Sequence, residues 1–177
     1  MASLPSSREL VHHLGFIAHD EGGFYRPVYP SIGADRLGDI SCDGQPDSRY
    51  STMFYMLTAE SPLGYLHVNK ADIVHCFHAG SPLTYLLITP DGRLTRRVLG
   101  PDLARGHELQ IVVSGGTWKA TVLEAGEFGL ISEVAVPAFD SRDREFGTGD
   151  RIRRLFPSLW SELASYLKPD RDLRSER

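Results

Sequence analysis

The stretch Gly64-Tyr-Leu-His-Val-Asn-Lys-Ala-Asp-Ile-Val-His-Cys-Phe-His-Ala-Gly80 decides how the rest of the chain is read. It holds two short runs rich in Val, Ile, Tyr and Phe, Gly64 to Val68 and Ile73 to His78, parted by Asn69 and Asp72. β-Branched and aromatic residues suit a pleated surface and Asn, Asp and Gly interrupt it, so the pattern predicts two consecutive strands. Side chains alternate across a strand. If Ile73 points inward, His75 and Phe77 do too, while Cys76 and His78 face the other way, which leaves His67 and His75 able to share one interior.

The same punctuation continues on both sides. Strands are expected at Gly23 to Tyr29, Ser51 to Leu57, Leu83 to Ile88, Leu94 to Leu99, Glu108 to Val113, Trp118 to Glu124 and Phe128 to Val136. Nine strands without intervening helices imply an antiparallel, all-β architecture. Pro90-Asp91-Gly92 predicts a hairpin turn, and Gly115-Gly116 and Glu124-Ala125-Gly126 punctuate the later strands. Before the strands, Ser6 and Glu9 form a capping box ahead of Leu10, Val11 and Leu14, predicting a short helix that Gly15 ends. After them, Arg151 to Leu155 and Leu159 to Leu167 show helical spacing around Phe156-Pro157, and the charged tail from Lys168 to Arg177 is expected to be loose. The chain reads as one domain over 1–177, with a barrel core at about 21–146 and a helical segment at about 150–167.

Composition narrows the function. Lys plus Arg number 19 against 23 Asp plus Glu, a net charge of −4, so there is no basic field for a nucleic-acid backbone. No run approaches the roughly 18 apolar residues of a membrane span, and Met1 to Arg8 lacks the apolar stretch of a secretory signal, so a cytoplasmic protein is expected. Two cysteines, Cys42 and Cys76, are too few for a disulfide scaffold and are expected to be reduced.

Several segments then point to a family. The opening Leu14-Gly-Phe-Ile-Ala-His-Asp-Glu-Gly-Gly-Phe-Tyr-Arg26, the strand Ser51-Thr-Met-Phe-Tyr-Met-Leu57, Lys70-Ala-Asp72 and Phe77-His-Ala-Gly-Ser-Pro-Leu83 are four of them. Val112-Val-Ser-Gly-Gly-Thr-Trp-Lys-Ala120 and Val136-Pro-Ala-Phe-Asp140 complete the set. In order and spacing they resemble the cupin superfamily, and within it the cupin-5 family of mostly unassigned activity, over nearly the whole chain up to about Phe146. The resemblance implies a double-stranded β-helix, or jelly roll, with a small-molecule pocket at the barrel mouth and a homodimeric assembly.

A cupin metal site needs imidazole and carboxylate ligands that are largely missing here. The His-x-His pair is Tyr65 and His67, the glutamate position holds Ile73, and the second motif places Lys119 where many cupins carry a last histidine. An ammonium beside a lone imidazole is a poor divalent site, so no cofactor is expected. A set of His67, His75 and Glu133 remains the metal-dependent alternative, an oxygenase or isomerase.

Without a metal, acid and base catalysis remains. His67 is the expected base, with Lys119 or Tyr65 as acid, in an isomerase, epimerase, cyclase or lyase acting on a small metabolite. The dTDP-sugar epimerases, whose barrel is similar, work with a histidine base and a tyrosine acid. Tyr55, His75, Phe77, Tyr85, Thr117, Thr121 and Glu133 are expected around the pocket, and Arg26 at its rim as an anion partner. Glu21-Gly22-Gly23 reads as structural, its glycines allowing a positive φ or a close backbone approach. Asp140 is expected to close one end of the barrel, and Trp160 with the last helices to offer an apolar contact surface. A non-catalytic metabolite-binding protein is the competing reading.

Overall fold

The computed structural model describes residues 4–29 and 49–169. Cys42 and the tail beyond 169 lie outside the described residues. A helix α1 (Ser7–Leu14) opens the chain, with the Ser6–Glu9 capping box formed and Gly15 in the left-handed conformation at its end. Eleven strands follow among the described residues: β1 (Ile17–Ala18), β2 (Phe24–Tyr29), β3 (Ser51–Thr58), β4 (Leu63–Asn69), β5 (Asp72–Gly80), β6 (Leu83–Ile88), β7 (Leu94–Leu99), β8 (Gln110–Val113), β9 (Trp118–Val122), β10 (Phe128–Val136) and β11 (Arg144–Phe146). Helices α2 (Gly149–Leu155) and α3 (Trp160–Leu163) close the described chain. The strands missed from sequence, β1 and β11, are two and three residues long, too short to show alternation.

The strands form two antiparallel sheets, a six-stranded one in the order β1-β2-β3-β10-β5-β8 and a five-stranded one in the order β11-β4-β9-β6-β7. This is the jelly roll expected from the sequence. Its core lies between the sheets, where Tyr55, Leu57, Leu83, Tyr85, Leu87, Ile111 and Ile131 pack together with all of them buried. Burying one large apolar side chain stabilises by about 1.5–3 kcal/mol, so this layer contributes heavily to the folding energy.

The outer face of each sheet is treated differently. Leu66, Leu86, Ile88 and Trp118 cover the back of the five-stranded sheet under Ile152, Phe156 and Leu163 of the carboxyl-terminal helices. Trp160 packs half-buried against this layer, with the Arg153 guanidinium over its ring. On the six-stranded sheet, α1 covers Met56, Phe128 and Leu130 through Leu10, Val11 and Leu14. Among the described residues, no helix is long and apolar enough to cross a membrane.

Candidate functional site

Strand register places the polar residues of the interior. His75 on β5 stands opposite Glu133 on β10, and His67 on β4 stands opposite Lys119 on β9, so each pair falls within the reach of direct cross-strand neighbours. Alternation turns all four inward: His67, His75, Lys119 and Glu133 are all buried. Glu133, whose phase sequence alone left open, faces the interior because it keeps step with Ile131 and Ala135 on β10.

Two carboxylate–imidazole pairs result. In the first, the Lys119 Nζ lies 3.4 Å from His75 Nε2. An ammonium only donates, so Nε2 accepts and the ring proton sits on Nδ1, 3.2 Å from Glu133 Oε1. Lys119 also stands 3.9 Å from Glu133 Oε2, and the Tyr85 hydroxyl lies 3.2 Å from Nδ1. Burial pulls the Glu133 carboxyl up, but Lys119 first and His75 second outweigh it and hold it at about 2. His75 is pushed down by burial and by Lys119, and so is neutral.

The second pair is assembled from a loop. Glu21 follows β1, and its chain is seated by two glycines with positive φ, Gly22 at +94° and Gly23 at +69°. A Cβ on Gly22 would lie 2.0 Å from the Leu63 carbonyl oxygen, so only glycine lets the loop press against β4. The Tyr65 N–H donates to the Glu21 carbonyl at 2.7 Å, and the Tyr55 hydroxyl donates to the Gly22 carbonyl at 2.9 Å. These contacts bury Glu21 with its Oε2 at 3.3 Å from His67 Nε2. Arg144, on β11, meets Glu21 Oε1 at 3.0 Å and also pairs with Asp20.

His67 differs from His75 in one respect that matters chemically. Its Nδ1 lies 2.7 Å from the Tyr65 carbonyl oxygen, which can only accept, so the ring proton is on Nδ1. Nε2 is then a bare lone pair; close as Glu21 is, Nε2 has no hydrogen-bond partner among the described residues. Burial is the largest influence on this imidazole and Lys119 adds to it, against the upward pull of Glu21 and the Tyr65 carbonyl; the result is about 4. Burial raises the Glu21 carboxyl, but the surrounding positive groups outweigh it and hold it well below the usual carboxylate range. Lys119 and Arg144 are among the groups that do so.

Both carboxylates line one cavity of about 250 Å³. Asn69 and His19 share its polar floor, Ile73, Met53 and Ala135 supply apolar wall, and Tyr25, Tyr29 and Phe139 carry aromatic surface into it. His19 is fixed by accepting the Glu21 backbone N–H at 3.0 Å on Nδ1 and by an edge contact with Tyr25.

The sequence-expected residues divide accordingly. Glu133 lines the cavity, His75 and Lys119 stand directly behind it, and His67 stands behind Glu21. Tyr55, Tyr85 and Phe77 belong to the packing between the sheets, Tyr55 and Tyr85 through hydroxyl contacts already described. Thr121 is buried opposite Tyr85, and Thr117 borders a small recess shared with Asn69 and Lys119. Tyr65, expected as an acid, does not line the cavity. A register shift between Gly64 and His67 takes it out of the inward row, and its backbone rather than its phenol serves the site. Arg26 is exposed on the face of β2 opposite Tyr25 and Pro27, and the guanidinium that meets a site carboxylate is Arg144, paired with Glu21. Asp140 caps a turn and pairs with Arg142 at the surface rather than closing the barrel. Glu21, His19, Asn69 and Arg144 were missed as site residues, although the His19-Asp-Glu-Gly-Gly23 run carried the signal for two of them.

A divalent metal does not fit this donor set. Both nitrogens of His75 are engaged, one of them by an ammonium, and His67 is paired across to Glu21 instead of converging on Glu133. Among the described residues no group of three or more His, Cys, Asp or Glu is arranged to hold a metal ion, the His67–His75–Glu133 set included.

Comparison with known proteins agrees with this fold. The family model Cupin_5, Cupin superfamily (DUF985), matches residues 8–147. Uncharacterized protein YML079W of Saccharomyces cerevisiae is 34% identical over 177 residues, covering 93% of this chain and 88% of the yeast protein. Among solved structures, a hypothetical protein from Leishmania major superposes with a TM-score of 0.80 at 24% identity, over 93% of this chain and 100% of that one. Protein SO0799 from Shewanella oneidensis gives 0.78 at 27% identity, over 94% and 99%. Oxalate decarboxylase from Bacillus subtilis reaches 0.53 at 13% identity, over 84% of this chain and 36% of that one, a likeness of fold alone.

Proposed function

The chain belongs to the Cupin_5 family of the cupin superfamily, and on that premise we propose that its cavity is the active site of a metal-independent acid–base enzyme acting on a small metabolite. The observation that carries the reading is the unpartnered Nε2 of His67 beside the cavity-lining Glu21. Glu21 takes a proton from the ligand, and the lone pair 3.3 Å behind it receives that proton. The resulting imidazolium is held between the Glu21 carboxylate and the Tyr65 carbonyl. Returning the proton to a different atom completes an isomerisation or epimerisation; keeping it while a leaving group departs gives an elimination.

Glu133 plays the other part. His75 and Lys119 leave it no neighbouring site for a proton, so it serves as a fixed acceptor that orients the ligand. Lys119, expected from sequence as the acid, acts here through His75 and Glu133. The assembly proposed is a homodimer through the outer face of the six-stranded sheet, where Val112, Val74 and Val134 stand in register and Val112 is exposed. A cytoplasmic setting is proposed on the sequence argument.

The test uses the molecule that co-purifies with untagged protein, identified by native mass spectrometry and incubated with wild type and His67→Gln in deuterated water. The expected result is deuterium entering a carbon position with wild type and a loss of about 10²-fold or more in the variant. Retention of the ligand without exchange or product supports the receptor reading instead.

A further inference from the structure

The proton-transfer reading above leaves the ligand's chemistry open, and the same cavity addresses it. Among the described residues no lysine or arginine lines the cavity, whereas Glu21 and Glu133 both do. Their counter-charges stand behind them: Arg144 at 3.0 Å from Glu21 Oε1 and Lys119 at 3.9 Å from Glu133 Oε2. Each pair is therefore a dipole with its negative end toward the ligand, in surroundings where little water screens it.

A second observation, independent of charge, points the same way. Asn69 lines the cavity, is only 7% exposed, and its Oδ1 has no hydrogen-bond partner among the described residues. A buried amide oxygen left without a donor is unfavourable, so a ligand that supplies an N–H here gains that contact. Tyr25, Tyr29 and Phe139 line the same cavity and give it aromatic surface for a flat apolar body. At about 250 Å³ the space suits a small metabolite rather than a large cofactor.

We propose that the ligand is a small organic cation, an ammonium or amidinium on a short apolar or aromatic body, whose charged end rests on Glu21, Glu133 and Asn69. A carboxylate or phosphate ester would meet two ionised carboxylates and is rejected by the same floor.

Three isosteric probes test the proposal by calorimetry: benzamidine, charged at neutral pH, the neutral benzamide, and the anionic benzoate. Benzamidine is expected to bind about tenfold or more tightly than benzamide, with no binding of benzoate. Asn69→Leu is expected to keep the wild-type melting temperature and to weaken benzamidine by about tenfold, the worth of one lost hydrogen bond. Equal or tighter binding of benzamide or benzoate overturns the proposal, as does failure of all three probes to bind, or unchanged benzamidine affinity in Asn69→Leu. Affinity order judges the charge class and deuterium exchange judges the proton transfer, so either can fail while the other stands.

Discussion

Glu133 and His75 stand opposite each other on neighbouring strands of one sheet, whereas Glu21 and His67 meet because a glycine-seated loop reaches across to the other sheet. The first pair is complete: each imidazole nitrogen has a partner, and an ammonium closes the group. The second holds a neutral imidazole with one open lone pair, and its cation, Arg144, is shared with the partly exposed Asp20. The same side-chain types thus give a rigid acceptor in one place and a proton-accepting couple in the other. The difference comes from what engages each ring: the Tyr65 carbonyl claims Nδ1 of His67, while side chains claim both nitrogens of His75, Glu133 at Nδ1 and Lys119 at Nε2.

The largest expected effect comes from breaking the closed group. Lys119→Met leaves Glu133 charged, buried and short of its main counter-charge, and removing one partner of a buried pair costs about 3–5 kcal/mol. Thermal unfolding should show it as a fall of roughly 10 °C. Arg144→Met should cost less than half as much, because Glu21 can draw a proton onto His67 Nε2. Equal losses in the two variants would erase the distinction between the groups.

A middle-sized effect tests how the open pair is assembled. Gly22→Ala puts a Cβ 2.0 Å from the Leu63 carbonyl at a φ of +94°, so the loop must move. Strain of this kind costs about 1–3 kcal/mol, read as a lower urea midpoint. Glu21 leaves His67 with it, so deuterium exchange should fall while the Glu133 group keeps its geometry.

Acid gives the most graded effect. His67 ordinarily titrates at 6.5 and is held at about 4 in the fold, so the folded state binds fewer protons between those values. Its contribution to stability is present above 6.5 and is lost as pH falls toward 4. Glu133, held at about 2 against an ordinary 4.5, contributes stability that is present above 4.5 and lost as pH falls toward 2. Melting temperature should therefore fall by several degrees in two successive windows, and His67→Gln should flatten only the upper one.

How much of this was legible in the sequence follows the same division. Strands β6, β7 and β10 were readable to the residue because alternation and turn residues mark them, and period two pointed His67 and His75 inward while leaving Lys119 open to a bulge. Glu133 was legible as a candidate but its direction was not, since a strand carries no sign of which face is inside. Glu21 was read as part of a structural loop because its glycines explain themselves; that they deliver a carboxylate to a histidine more than forty positions on is a tertiary fact. Arg144 was hidden for the same reason, and Tyr65 was misread because a register shift has no sequence marker.

The most direct test is nitrogen-15 NMR of the histidine rings across pH. At neutral pH the account predicts that His67 and His75 are both neutral with the proton on Nδ1, and that His67 takes up its second proton near pH 4. A proton on Nε2 of His67 at pH 7, or titration of His67 near the ordinary 6.5, would contradict it.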